Sequence, residues 1–441
     1  MNNKPTHKQI ARAAGVAWLA ATAAALGGSL NPPPGPIAPT DAVTINGQAV
    51  TLPYVIAAPG AYRLTSDLLA GGGVDGVVIA ASDVTLDLGG FTIFGGTGDG
   101  VVAQPGTANI TVRNGSVRGW DDDGLDLFQA TTVRVENVTA LDNGDTGFTA
   151  AEAQLVGCLA ARNGAITGSG DGFEIAGPGS ADRCHAVDNA DNGFFVSEGV
   201  RLAGCVATRN GRNGFEMAFH CVAVECVAKE NIVGVGFVSV EHCTLADCVA
   251  TRNGTDGIVV AVGGLAVDCV ATENASLGFF ADLGAVVTGC RASRSGADGF
   301  LGIAGARFET CSANENGQHG FNIDDGVTVR DCNASLNQAS GVYALNRCRV
   351  EAVHAWNNGA GGALPSAGIE VPQPGQQNRI ADNSCIDNPT DYLISGTRNT
   401  VFSNSSSTTA GANYTIAPGN DVAPIAPGAA VAASRLDNII Y

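Results

Sequence analysis

Residues 193–213 read GFFVSEGVRLAGCVATRNGRN, residues 214–235 read GFEMAFHCVAVECVAKENIVGV, and residues 236–256 read GFVSVEHCTLADCVATRNGTD. Each line opens on Gly-Phe, reaches Cys-Val-Ala twelve residues later, and then runs through a charged residue into Asn. A self-similar period of 20 to 30 residues is the signature of a solenoid, whose repeats bury their apolar faces only against one another. These three lines therefore decide the fold class before any single residue is interpreted.

The same columns extend in both directions. Cysteines stand at 158, 184, 205, 226, 248, 269, 290, 311 and 332, with gaps of 21 or 22 after a first gap of 26. Alanine follows two residues later in every rung from Ala140 to Ala355. An apolar residue stands three before the column from Val135 to Val350, and Asn stands five after it from Asn143 to Asn358, with Ser295 as the exception. The Gly of the Gly-Phe pair recurs from Gly76 to Gly368, which gives about fourteen rungs. Inward positions two apart fit strand alternation. The step of three before the cysteine breaks that alternation and predicts a corner at Asn137, Gly157, Gly204, Glu225, Asp247, Asp268, Gly289 and Asp331. A second corner is expected at the Asn column and the glycine before Phe, where left-handed backbone is tolerated. The reading is an all-β parallel solenoid with three short strands per turn, roughly 65 Å long at one rung per 4.8 Å.

This pattern resembles the right-handed parallel β-helix of the pectin-lyase-like superfamily, with the carbohydrate-binding and sugar-hydrolase type of repeat found in secreted bacterial proteins. Ala58-Pro59-Gly60-Ala61-Tyr62-Arg63-Leu64-Thr65, followed by Asp83-Val84-Thr85-Leu86-Asp87-Leu88-Gly89-Gly90-Phe91-Thr92-Ile93, is similar to the usual start of such domains. The resemblance covers roughly residues 46 to 405. It implies a fold and leaves the activity open, because this fold hosts lyases, hydrolases, epimerases and adhesins. It also implies that substrate, where there is one, lies on the outward face of the Gly-Phe strand.

Four residues after the cysteine column the charges alternate over nine rungs, as Asp142, Arg162, Asp188, Arg209, Glu230, Arg252, Glu273, Arg294 and Glu315. Nine buried charges would be prohibitive, so the chain is expected to turn outward there. The ladder is read as a register device, since a slip of one rung stacks like charges. The cysteines are expected to be inward, buried and mostly free. Parallel Cβ vectors about 4.8 Å apart exceed the usual disulfide span, and Cys-x4-Cys lacks zinc-finger spacing.

The outward Gly-Phe face divides in two. Its first half is acidic, with Asp121-Asp122-Asp123-Gly124-Leu125-Asp126, then Asp171, Glu174 and Glu216. This stretch resembles the Asn-Thr-Asp-Gly-x-Asp motif of polygalacturonase-type hydrolases, but Asp145-Thr146-Gly147 replaces an Asp-Asp pair. Gln318-His319-Gly320 is a distant echo of a Gly-His-Gly motif, and no Arg-x-Lys follows. Catalytic candidates are Asp123, Asp126, Asp171, Glu174 and Glu216. Asp121, Asp122, Asp123 and Asp126 form a candidate calcium set, since clustered carboxylates suit hard cations. No other cofactor is expected. A lyase is disfavoured because the face lacks lysine. The second half, Val238, Val259, Phe280 and Leu301, is an apolar strip able to take a protein partner. Insertions at Ala165–Gly170 and Gly359–Ala367 are expected to overhang the same face.

The domain reading is a signal peptide at 1–27, a Pro-rich linker at 28–45, an N-terminal cap at 46–75, the β-helix at 76–405, and a loosely attached C-terminal cap or tail at 406–441. Lys4, Lys8 and Arg12 precede an apolar run from Ala13 to Leu26, which is too short to span a bilayer. Export to the periplasm, the cell surface or the medium is expected, with no membrane span in the mature chain. A net charge of −19 with one lysine after residue 12 argues against nucleic acid and against unaided binding of acidic polysaccharides. The reading reached is an exported, non-catalytic structural or glycan-binding β-helix. Its alternatives are a polysaccharide-active enzyme using the acidic zone and a protein-assembly module using the apolar strip.

Overall fold

The computed structural model describes residues 44–359, 366–408, 411–427 and 438–440. The expected signal peptide, almost all of the linker and the core of the insertion near 360 lie outside these residues. Among the described residues no helix is long and apolar enough to cross a membrane.

The chain is a parallel β-solenoid. Among the described residues the Gly-Phe strands form one sheet of seventeen strands, from Tyr54–Ile56 to Ala412–Ile416. The other two strands of each turn form the remaining walls. Register follows the sequence columns: Phe173 pairs with Phe194, then Phe215, then Phe237, and Ala186 with Ala207, Ala228 and Ala250. Seventeen turns exceed the glycine column's fourteen because both ends join the coil. At the start, Tyr54 pairs with Val77 and Gly60 with Val84, so most of the expected cap at 46–75 is already a coil turn. At the other end the expected loose tail is corrected. Thr390–Ile394 pairs with Ala412–Ile416, and Asn438–Ile440 pairs with both Ser405–Ser407 and Ile425–Pro427. The alanine- and proline-rich composition hid these strands.

The core is stacked by residue type. Phe148, Phe173, Phe194, Phe215 and Phe237 lie nearly parallel with centroids 4.6–4.8 Å apart, and after Ile258 the stack resumes as Phe279, Phe300 and Phe321. The thirteen cysteines are free and buried. Their Sγ atoms contact main-chain carbonyls, as Cys205 does with Ala181 at 3.3 Å and Cys332 with Arg330 at 3.1 Å. Burial pushes the Cys348 thiol up to about 11 and holds Cys385 well above the usual thiol range. Such groups pack as small hydrophobes and are poor nucleophiles.

The corners refine the sequence reading. The residue before the cysteine column lies at a corner as expected and is left-handed, for example Asn137 before Val138 at φ 52° and Asp247 before Cys248 at φ 54°. At the second corner the left-handed residue is the charge-ladder residue itself, Asp142 at 56°, Arg209 at 53° and Glu230 at 56°. The Asn beside it and the column glycines are not left-handed. That inversion of φ is what swings the ladder out of the core. Arg162 reaches Asp142 at 2.7 Å, Arg209 reaches Asp188 at 2.8 Å, and Arg294 reaches Glu273 at 2.6 Å. The column glycine is required by packing instead. A Cβ on Gly214 would lie 2.6 Å from the Gly236 carbonyl oxygen and 2.8 Å from Asn231 Nδ2.

The Asn column is a buried amide ladder. Asn163 Nδ2 donates to Asn189 Oδ1 at 2.9 Å, and Asn189 Nδ2 to Asn210 Oδ1 at 2.9 Å. The same oxygens accept the preceding rung's backbone N–H, as Asn189 Oδ1 does from Asn163. Buried polar groups are tolerated when satisfied in this way. The ladder breaks at Ser295, whose hydroxyl is buried without a partner. Two further ladders, Asn378-Asn399-Asn420 and Asn383-Asn404-Asn438, tie the last turns together.

Candidate functional site

The acidic zone sits where the second corner feeds the Gly-Phe strand. Asp75, Asp99, Asp123 and Asp171 occupy the position just before the column glycine, and there they act as stitches between rungs. Asp75 Oδ1 accepts the Asp99 N–H at 3.2 Å, and Asp99 Oδ1 accepts the Asp123 N–H at 3.0 Å. Asp123 Oδ1 accepts the Thr146 N–H at 2.9 Å and its Oδ2 the Thr149 hydroxyl at 2.7 Å. Asp171 Oδ1 accepts the Asn192 N–H at 2.8 Å. Farther on, Asp256 and Asp298 hold the amides of Leu277 and His319. Two of the five catalytic candidates, Asp123 and Asp171, thus have structural work that the sequence reading did not assign them. The signal was a further column in plain view, masked because Asp-Gly also reads as a turn.

These stitches lie in low dielectric beside one another. Burial, then the Asp122 and Asp126 carboxylates, raises Asp99 to about 7. Burial raises Asp123 to about 8, with Asp99 and Asp145 adding to it and the Thr149 hydroxyl opposing. Burial and then Asp191 hold Asp171 well above the carboxylate range. Protonated carboxyls in a buried row follow from desolvation and like-charge repulsion.

The remaining candidates point outward. Register runs Asp126, Thr149, Glu174, Phe195, Glu216, Val238. Asp126 and Glu174 are two rungs apart, as are Glu174 and Glu216, which is about 9.6 Å along the axis. Asp126 turns back on its own strand to accept the Phe128 N–H at 3.0 Å. Glu216 accepts from Asn213 at 3.0 Å and lies 3.6 Å from Arg212. The carboxylates that converge within 4.8 Å of one another are Asp122, Asp123 and Asp145. Asp145, absent from the sequence set, joins this group, whereas Asp121 and Asp126 stand outside it. The Ala165–Gly170 insertion folds over this corner, and the Thr167 hydroxyl reaches Asp145 at 3.0 Å.

The second half of the face is as apolar as expected. Val238, Val259, Phe280 and Leu301 are in register and half-buried. Beyond them lies a polar group reached only faintly from sequence. His319 Nδ1 accepts the Ser340 N–H at 3.1 Å, which places its proton on Nε2, and its ring packs on Tyr343 with centroids 4.6 Å apart. The Ser340 hydroxyl donates to Glu370. Burial lowers His319 and raises Glu370, so both are held toward their neutral forms.

Fold and face together define a parallel solenoid with one decorated wall. A family model described as a right-handed beta helix region matches residues 69–201, 99–239 and 232–384, which together span well over half of the chain, and the chain belongs to that family. Sequence comparison with curated proteins returns no match. Among solved structures it is similar to the periplasmic alginate epimerase AlgG, at 11% identity and TM-score 0.35, covering 77% of this chain and 78% of that one. It is also similar to the A-module of a mannuronan C-5 epimerase from Azotobacter vinelandii, at 14% identity and TM-score 0.35, covering 77% and 88%. A surface adhesin of Streptococcus pneumoniae matches at 8% identity and TM-score 0.29, covering 72% and 84%. Likenesses this distant concern the fold alone.

Proposed function

We propose that this protein is an exported, non-catalytic β-helix that binds a neutral glycan along its Gly-Phe face. The observation that supports this reading is the division of labour among the acids. The buried carboxyls each hold the next rung's amide, and the outward ones flank Phe195 in register, with Glu174 on one side and Glu216 on the other. An aromatic ring between two carboxylates suits a sugar ring, stacking on its apolar face while accepting from its hydroxyls. A net charge of −19 favours a neutral glycan over a uronate polymer. Glycan-array binding followed by titration tests the proposal. Phe195→Ala is expected to weaken the best ligand by about tenfold, roughly the 0.5–1.5 kcal/mol of an aromatic contact plus its lost area. Unchanged binding would refute it.

A polysaccharide hydrolase is the second reading, favoured by the raised pKa values of Asp99 and Asp123, since such perturbation gathers at catalytic sites. The 9.6 Å separation sits at about the outer limit for an inverting pair. The converging Asp122, Asp123 and Asp145 would suit calcium, which would deprotonate Asp123. Release of reducing ends from a glycan panel, with and without calcium, that disappears in Asp126→Asn would establish this reading in place of the first.

A further inference from the structure

The strand ahead of the cysteine corner carries a departure from the charge ladder. Register pairs Arg307 with Thr328 and Thr328 with Arg349. Arg307 and Arg349 therefore project from one column two rungs apart, about 9.6 Å along the axis, with only a hydroxyl between them, and Arg379 follows Arg349 directly in that column. The adjacent column alternates in sign, as Glu309, Arg330 and Glu351. There Glu351 binds Arg330 at 3.0 Å and Arg379 at 2.6 Å, and Arg379 also lies over the Phe402 ring at 4.4 Å. The chain neutralises Arg330 and Arg379, yet Arg307 and Arg349 make no ion pair among the described residues. Both are exposed, and with Glu309, Thr328 and Arg330 they line a depression of about 270 Å³.

In the ladder from Asp142 to Glu315 this sequence places an opposite charge between like ones. A carboxylate in the place of Thr328 would have completed the pattern. Like charges in neighbouring strands are destabilising, so the counter-charge is left to come from outside. We propose that this depression is an oxyanion site, in which Arg307 and Arg349 clamp one sulfate, phosphate or carboxylate group and the Thr328 hydroxyl donates a further bond. Guanidinium forks suit such groups bidentately. The site is a local exception to the chain's acidity, and it is independent of the Gly-Phe face.

Calorimetric titration of the full chain at low ionic strength, with inorganic sulfate, a sulfated oligosaccharide and a uronic oligosaccharide as separate probes, tests it. Saturable binding of at least one probe is expected, weakening with salt. Sulfate alone points to a free ion, and preference for either oligosaccharide points to a glycan substituent. Arg307→Gln and Arg349→Gln are each expected to weaken binding about tenfold, as for loss of a charged hydrogen bond. Glu309→Gln is expected to tighten it. Arg347→Gln, which breaks only the pair with Asp325, is the control expected to leave it unchanged. No saturable binding by any probe, or equal binding by the Arg307→Gln/Arg349→Gln double variant, would overturn the assignment.

Discussion

At Ser295 one residue interrupts an amide ladder that is otherwise continuous from Asn143 to Asn388. Asn274 Nδ2 reaches only the Ala250 carbonyl, and the serine hydroxyl is left unsatisfied. Ser295→Asn restores the repeat and is expected to stabilise by about 1–2 kcal/mol, the worth of one or two net hydrogen bonds. Denaturant midpoints compared at equal m-value measure this. Asp123 offers the opposite case, a buried acid whose folded pKa of about 8 exceeds the unfolded value near 3.9. Between those values the native state holds a proton that the unfolded chain has released, so stability falls as pH rises. Thermal melts from pH 4.5 to 8.5 are expected to decline for the wild type and to decline less for Asp123→Asn, which keeps an acceptor for the Thr146 amide. A steeper decline in the variant would show that another group controls the slope.

Single strands of three to five residues would not persist alone, and here each is fixed by register with two neighbours. The glycine column shows how tightly. Gly214→Ala places a methyl 2.6 Å from a backbone oxygen that cannot swing away. It is expected to cost several kcal/mol, about 1–3 for overpacking and more if the ladder parts, with loss measured by urea unfolding. The residues made these strands legible because inward identity repeats so strictly: Phe on Phe, Cys on Cys, Ala on Ala. What misled was the corner. Left-handed backbone is usually read from Gly or Asn, yet here Arg, Glu and Asp adopt it, because their positions must throw a charge outward. The acids' second task was hidden for a related reason. Asp123 and Asp171 look like catalysts beside a glycine, and only stacking shows each one holding an amide of the next turn.

For the molecule as a whole, the fold was readable and the working surface was not. Columns specify stacking, whereas a site depends on which neighbours converge across rungs, as Asp145 does with Asp122 and Asp123. Among the described residues seventeen turns give a rod of roughly 80 Å, and near its far end Asn438–Ile440 returns to lie between Ser405–Ser407 and Ile425–Pro427. The sign alternation along one edge sets how such a rod can change its length. Excision of one turn, residues 210–230, would place Arg209 against Arg252, whereas excision of residues 210–252 would bring Arg209 beside Glu273 and keep the order. In the one-turn deletion Arg252→Glu is therefore expected to leave the thermal midpoint nearly unchanged, since it relieves Arg209 only by setting a carboxylate against Glu273. By that arithmetic the heritable unit of growth or loss in this protein is a pair of turns, and the odd-numbered duplication is the one selection would have to repair.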